Sequence, residues 1–178
     1  LTPPAPTPLP WLLRHLGDLL LGVLILALAA PVLLIASPLL LWRLRRHEAT
    51  DPEIVIAPDP ARVRAISAME DHDVTNPFTA IGTIKPGPFR GALVSAALWL
   101  LDFASRQIFT KGRLARVGTI HFARWVVIES GRRVIFASNY DGPLESYMDD
   151  FINKVAFGLN LVFSNGVGYP TTNWLLLD

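Results

Sequence analysis

The chain has 178 residues, a formal net charge of +1 and no cysteine, which excludes disulfide bonds, thiolate metal sites and a cysteine nucleophile. The near-neutral charge, with no stripe of Lys and Arg between aromatic residues, argues against nucleic-acid binding. Charged residues make up only 17% of the sequence, and the positive mean hydropathy of +0.38 favours a membrane-anchored protein.

The first ten residues contain five prolines, which predicts an extended tether over residues 1–18. The chain begins with Leu1, and its last apolar run, residues 174–177, stops one residue before the end. We therefore expect this chain to be a piece of a longer protein.

Residues 19–41 carry no charge over 23 consecutive positions. At about 1.5 Å per residue this run reaches roughly 35 Å, enough to cross the ~30 Å hydrocarbon core of a bilayer. It predicts a transmembrane helix over residues 19–42. Pro31 and Pro38 each remove a backbone donor, so we expect the helix to be kinked there. A re-entrant hairpin is the alternative.

Aromatic and basic residues flank the apolar run, as is typical of a membrane interface. One Arg, Arg14, precedes the run and three follow it, so the positive-inside rule places the carboxyl-terminal side in the cytoplasm. The predicted interfacial residues around the run are Trp11, Trp42, Arg43, Arg45 and Arg46. We therefore predict a single-pass protein of a cytoplasmic (inner) membrane.

Residues 43–78 are polar and Pro-rich and predict a juxtamembrane linker with a short helix at 59–70. Residues 79–178 predict the folded domain. Alternation, helical spacing and turn residues give its elements: a strand at 79–85, a helix at 90–109, strands at 119–128 and 134–140, a helix from Pro143 to Val162, and a strand at 174–177. The helix at 90–109 is apolar almost all round, so it is either buried or interfacial, with Trp99 at the membrane surface and Arg90 towards headgroups.

This order of elements predicts an α+β domain with the ferredoxin-like βαββαβ fold, in which an antiparallel four-stranded sheet carries both helices on one face. The other face then needs a cover. A second copy, another domain or a ligand could provide it.

Two groups of residues are candidates for chemistry. Asp71, His72 and Asp73 have the residue types of a cation site, but adjacent residues of an extended loop point in different directions, which favours a solvated polar loop. In the strand at 119–128, alternation places His121 beside Trp125 on one face and Arg124 on the other.

Arg124, if buried, needs an acidic partner, for which Asp141, Asp149 and Asp150 are candidates. Asp141 precedes a helix, so the simplest expectation is that it caps that helix. The alternative is that His121, Arg124 and Asp141 surround a cofactor. No spacing of nucleophile and base indicates a hydrolase, and no Gly-rich phosphate loop is present.

Four stretches between residues 70 and 178 resemble a largely uncharacterised bacterial family: 119–125 (TIHFARW), 138–142 (SNYDG), 145–150 (ESYMDD) and 163–170 (FSNGVGYP). Members of that family are longer at both ends. The resemblance implies a membrane-anchored ferredoxin-like domain of the dimeric α+β barrel type, similar in architecture to dye-decolorising haem peroxidases. Those peroxidases carry a Gly-x-x-Asp-Gly motif, a distal Arg and an axial His. Here Asp141 and Gly142 match, and Ser138 replaces the first Gly.

These observations lead to one main hypothesis, a non-catalytic accessory or interaction subunit held at the membrane, with no cofactor. Its expected partners are membrane lipids and either other membrane subunits or a second copy. The alternatives are a haem-dependent peroxidase-like oxidoreductase and a module that binds lipid or an apolar small molecule.

Overall fold

The computed structural model describes residues 7–51, 59–70, 74–108, 120–170, 172 and 174–176. The chain forms two compact units that divide between Leu44 and Arg45. The first unit consists of most of helix α1, Leu9–Thr50. This helix is long and apolar enough to cross a membrane, as the composition predicts.

Helix α1 extends beyond the predicted segment at both ends, since it begins ten residues before position 19 and ends eight residues after position 42. The Pro-rich start does not prevent this, because Pro10 lies in the first turn, where a missing N–H breaks no helical hydrogen bond. The helix also continues through Pro31 and Pro38. The chain reversal that a re-entrant hairpin needs does not occur in it.

The second unit begins with the last turns of α1, followed by the short helix α2, Pro60–Ser67. Asp59 caps α2 by accepting a hydrogen bond from the Ala61 amide at 2.9 Å. Residues 43–50 and 60–67 of the predicted linker at 43–78 are therefore helical.

Three strands form the antiparallel sheet of the described residues: β1, Asn76–Thr83; β2, Ile120–Ile128; and β3, Arg133–Tyr140. β3 lies between β1 and β2. A tight turn at Glu129–Gly131 joins β2 to β3, as Gly131 predicts. Helix α3, Pro88–Gln107, connects β1 to β2, so the chain forms a split βαβ unit with β3 inserted in the middle.

The predicted fourth strand at 174–177 is wrong at Leu175 and Leu176. Leu175 and Leu176 form a turn with φ values of 49° and 67° instead of extended backbone. Their amides donate hydrogen bonds to a carboxylate, so this segment wraps around a side chain and does not add to the sheet.

Helix α4, Leu144–Phe163, covers one face of the sheet and packs against α3. The core between α4 and the sheet is mainly aromatic and contains Phe78, Trp125, Phe136, Tyr140, Tyr147 and Phe163. Within it the Tyr147 hydroxyl and the Ser138 hydroxyl are hydrogen-bonded at 2.5 Å. On the opposite face of the sheet Ile81 is 63% exposed and Phe122 is 48% exposed.

The Tyr147–Ser138 hydrogen bond gives a test of the core. Replacing Tyr147 with Phe leaves the buried Ser138 hydroxyl without the partner seen here, which we expect to cost about 1–3 kcal/mol of unfolding free energy. Adding Ser138→Ala should restore part of that loss, because both polar groups are then absent. Chemical denaturation of both single variants and the double variant measures this coupling. Strictly additive losses would contradict it.

Candidate functional site

The first polar cluster of the second unit surrounds Glu48, near the end of α1. Its Oε1 accepts hydrogen bonds from the Thr172 hydroxyl at 2.8 Å and the Leu176 amide at 2.7 Å. Its Oε2 accepts from Arg45 at 2.9 Å and the Leu175 amide at 3.0 Å. Burial raises the pKa of Glu48, but these four hydrogen bonds outweigh it and hold the pKa below its ordinary value of 4.5. Glu48 is therefore a buried, ionised acceptor.

The second cluster surrounds Asp51, one turn further along. Its Oδ2 accepts hydrogen bonds from Lys85 at 2.9 Å and from Arg90 at 2.5 Å. Arg90 is 2% exposed and also donates to the Asn165 side chain at 3.0 Å. Burial raises the pKa of Asp51, but the Lys85 hydrogen bond and the charge of Arg90 bring it below its ordinary value of 3.8. His47 completes the cluster, 3.7 Å from Asp51.

We call these two clusters together the helix-end network, which consists of Arg45, His47, Glu48, Asp51, Lys85, Arg90, Asn165 and Thr172. Its carboxylates accept from Arg45, three residues before Glu48, and from the distant residues Lys85, Arg90 and Thr172. Arg45 also lies over the ring of Trp174 at 4.6 Å. Because breaking a buried ion pair leaves an uncompensated charge, such a network holds the last turns of α1 within the second unit.

The third polar group lies where β2 begins and β3 ends, near the start of α4. His121 Nε2 and Asp141 Oδ2 are 2.6 Å apart, and both side chains are about half exposed. The Thr75 hydroxyl also donates to Asp141, at 3.4 Å. The expectation that Asp141 caps α4 is wrong, because the Leu144 amide donates to Glu70 instead.

The predicted position of His121 on the face of Trp125 is also wrong. A β-bulge between Ile120 and Phe122 leaves His121 as the extra residue of β2, while Ile120 is buried in the core. The bulge turns His121 towards the strand end, where it meets Asp141. Trp125 lies in the core as predicted.

Arg124 is exposed, so the expectation of a buried Arg with an acidic partner is wrong. It lies opposite Ala137 on the face of the sheet that α4 does not cover, whereas His121 lies at the strand end. His121 and Asp141 form a pair in which the His121 Nε2 is bonded to the carboxylate, and the structure shows no contact of Arg124 with either of them among the described residues. The residues therefore do not fit a haem site built from His121, Arg124 and Asp141.

The candidate cation residues Asp71, His72 and Asp73 lie outside the described residues. Within the part of the chain that the structure describes, no group of three or more His, Cys, Asp or Glu side chains could hold a metal ion.

The predicted interfacial residues have different environments. Trp11 is exposed and stacks on His15, and Trp42, Arg43 and Arg46 are exposed. Arg45 instead donates to Glu48 within the second unit. On α3, Trp99 is 38% exposed and stacks on Phe103.

Arg90 corrects the prediction for the start of α3. Its side chain is buried and paired with Asp51, so it does not point towards headgroups. Val94 and Ala97 are the other buried residues of α3, so this helix is buried on one side and exposed on the side of Trp99.

The sequence did not predict the helix-end network, because residues 43–78 have the polar, Pro-rich composition of a linker. One sequence signal did indicate that the helix continues into this segment. Leu44, Glu48 and Asp51 follow one another at spacings of four and three residues, which places them on one helix face and indicates that the helix continues past Trp42.

Comparison of the chain with protein-family models, with curated proteins and with solved structures finds no match.

Proposed function

We propose that this protein is a membrane-anchored, non-catalytic interaction subunit. One observation carries the proposal. The helix that contains the uncharged run at 19–41 continues without interruption into the turns that hold Glu48 and Asp51, and buried charges fix those turns in the folded unit. A single helix thus serves as both apolar segment and part of the domain.

The polar groups of the second unit support a structural role. In the helix-end network, the carboxylates of Glu48 and Asp51 accept hydrogen bonds from donors of their own chain. At the same time the sheet exposes apolar side chains, such as Ile81 and Phe122, on the face opposite α4. An exposed apolar surface is typical of a protein–protein interaction site, and buried charges that pair with one another have a structural role.

The finer parts of the proposal concern fold and location. The split βαβ unit, with β3 between β1 and β2, supports a ferredoxin-like domain whose fourth strand is not formed by residues 174–176. Arg43 and Arg46 follow the apolar run, and only Arg14 precedes it, which supports a bacterial inner-membrane protein with its domain in the cytoplasm.

The anchoring test uses the full chain and a charge placed in the apolar run. Leu24→Arg together with Leu28→Arg should release the protein from membranes during alkaline extraction, since each Arg costs about 2.5–3.5 kcal/mol at the centre of a spanning helix. Leu9→Arg, the same change outside the run, is the control and should leave the protein in the membrane fraction. A wild-type chain that is extracted into water as a folded monomer would overturn the anchoring proposal.

The interaction test is gentle solubilisation of the native membrane, followed by size analysis and identification of bound polypeptides. The proposal predicts a complex, formed with other subunits or with a second copy. A chain that runs alone, with neither a bound polypeptide nor self-association, contradicts it.

A further inference from the structure

Trp174 is a large aromatic side chain that the fold leaves exposed beside the end of α1. Its relative exposure is 59%, and the guanidinium of Arg45 lies over its ring at 4.6 Å. This is a cation–π contact, which fixes the ring against α1 while most of its surface remains uncovered. A tryptophan held in an exposed position is unusual enough to need an explanation, because the indole is among the largest apolar groups of a protein.

The segment around Trp174 is bound to α1 on both sides of the indole. Before it, the Thr172 hydroxyl donates to Glu48 at 2.8 Å. After it, the amides of Leu175 and Leu176 donate to the same carboxylate at 3.0 and 2.7 Å. Leu176 is buried, so the segment turns a leucine inward and the indole outward. Trp174 is therefore exposed although its neighbours are fixed.

These contacts also give the position of Trp174 along α1. Arg45 precedes Glu48 by three residues, which is about 4.5 Å along the helix in the direction of the apolar run. The indole contacts Arg45, whereas the amides that follow it contact Glu48. The indole therefore lies on the side of this segment that is nearer to the run at 19–41.

The depth of Arg45 follows from the helix itself. Arg45 is four positions after Leu41, the last residue of the uncharged run, and α1 is helical over both. At about 1.5 Å per residue the two positions are about 6 Å apart along the helix. A bilayer of about 40–45 Å with a ~30 Å hydrocarbon core has headgroup layers of roughly 5–8 Å. With Leu41 at the end of the core, Arg45 lies in the headgroup layer.

We propose that Trp174 is a second contact of this protein with the lipid surface, where its indole lies among the headgroups beside α1. Tryptophan suits this layer, because its ring is apolar and its N–H is a hydrogen-bond donor for phosphate and carbonyl oxygens. The inference rests on the proposed anchoring of α1. It adds a contact that the distant carboxyl-terminal segment makes with the same membrane surface.

Charge complementarity supports lipid as the occupant. Between Trp42 and His47 the sequence has three arginines and no acidic residue. Two of these arginines, Arg43 and Arg46, are exposed. A set of exposed tryptophan and arginine side chains next to an apolar run matches the apolar and anionic groups of a phospholipid surface.

The functional consequence is a defined orientation of the second unit. A spanning helix by itself lets an attached domain tilt with the helix. A second contact, formed by Trp174, opposes tilting that would lift the indole out of the headgroups. An interaction subunit held in this way presents its exposed residues to a partner in a constant direction.

The test uses lipids with brominated acyl chains, which quench tryptophan emission on contact. The full chain is reconstituted into phosphatidylcholine vesicles that are either unlabelled or brominated near the headgroup. Four variants each remove one emitter: Trp174→Phe, Trp42→Phe, Trp99→Phe and Trp125→Phe. Trp42 is exposed at the end of the apolar run, Trp99 is exposed on α3, and Trp125 lies in the core, so they are the controls.

The quenched part of the emission should fall in Trp174→Phe by as much as in Trp42→Phe, and it should not change in Trp125→Phe. A smaller loss in Trp174→Phe than in Trp42→Phe overturns the inference but leaves the anchoring proposal intact. No loss in either variant overturns both. A loss in Trp99→Phe in place of Trp174→Phe assigns the contact to α3 and also overturns the inference.

A chain that keeps Trp174 and has Phe at the other four tryptophans distinguishes lipid from protein. Its emission should shift to shorter wavelength on reconstitution. Lipid brominated near the headgroup should quench it more strongly than lipid brominated at the chain ends. A shift without quenching by either lipid shows that another copy covers the indole, which contradicts the inference. Circular dichroism checks the fold of this variant, and the single substitutions decide the question without it.

Discussion

Replacing Glu48 with alanine is expected to lower the unfolding free energy by about 3 kcal/mol, the scale for removing one partner from a buried charge pair. The change leaves the Thr172 hydroxyl and the amides of Leu175 and Leu176 without the acceptor seen in the structure. It also removes the carboxylate that Arg45 contacts. Chemical denaturation of the full chain in mild detergent measures the loss.

The control for this variant is Glu145→Ala, since Glu145 is exposed in the first turn of α4. Its expected cost is within about 0.5 kcal/mol. A loss in Glu48→Ala no larger than in Glu145→Ala would show that the Glu48 hydrogen bonds contribute nothing to stability.

Glu48→Gln tests whether the charge of Glu48 stabilises the fold, through the dependence of the unfolding free energy on pH. The folded state holds the pKa of Glu48 below its ordinary value of 4.5, so the stabilisation that the ionised carboxylate provides is complete above that value. As pH falls through the folded pKa, protonation removes it, and the wild type becomes less stable. Because the amide of the substituted side chain does not titrate, this variant should lose less stability between neutral and strongly acidic pH. Identical acid dependence would contradict the assignment.

Replacing Arg90 with alanine is the change with the largest expected effect, about 4 kcal/mol, because the Arg90 side chain is only 3% exposed and bonds to both Asp51 and Asn165. Asp51 would keep Lys85 but lose the guanidinium, and the Asn165 side-chain oxygen would lose its donor. The loss should appear as a lower denaturation midpoint of the full chain.

Arg106→Ala is the matched control on the same helix. Arg106 pairs with Asp102 at 2.5 Å, but both side chains are more than half exposed, so the cost should stay below about 1 kcal/mol. Equal stability of the two arginine variants would show that the burial of Arg90 does not increase the stabilisation that its ion pair provides.

Local signals predicted most of the sheet. Alternation between buried and exposed positions marks β3, and Gly131 marks the turn before it, so the hairpin could be placed from a few neighbouring residues. The uncharged run at 19–41 similarly predicted a long apolar helix. The ends of that helix were harder to place, because capping and packing beyond the run decide them.

The helix-end network could not be predicted in this way. Glu48 and Thr172 are 124 positions apart, and half of the hydrogen bonds to Glu48 come from backbone amides, which have no sequence signature. Leu175 and Leu176 adopt left-handed backbone, which leucine disfavours by about 1–2 kcal/mol per residue, so their apolar character suggested a strand. The carboxylate offsets that strain.

The bulge at His121 escaped prediction for a related reason. Strict alternation assigns one residue of β2 to each position of β3, whereas two residues of β2 share one position here. Phe122 and Arg124 kept their predicted face because the irregularity precedes them.

Because α1 runs continuously into the second unit, truncating the chain or exchanging its apolar segment affects the stability of the domain. A fragment starting at residue 79 would retain Lys85 and Arg90 but lose the Asp51 carboxylate that neutralises them, so it would carry orphan cations in its interior. A fragment that keeps the whole helix-end network must begin no later than Arg45. Any recombination event that exchanges the anchor must therefore carry the last two helical turns along with the domain.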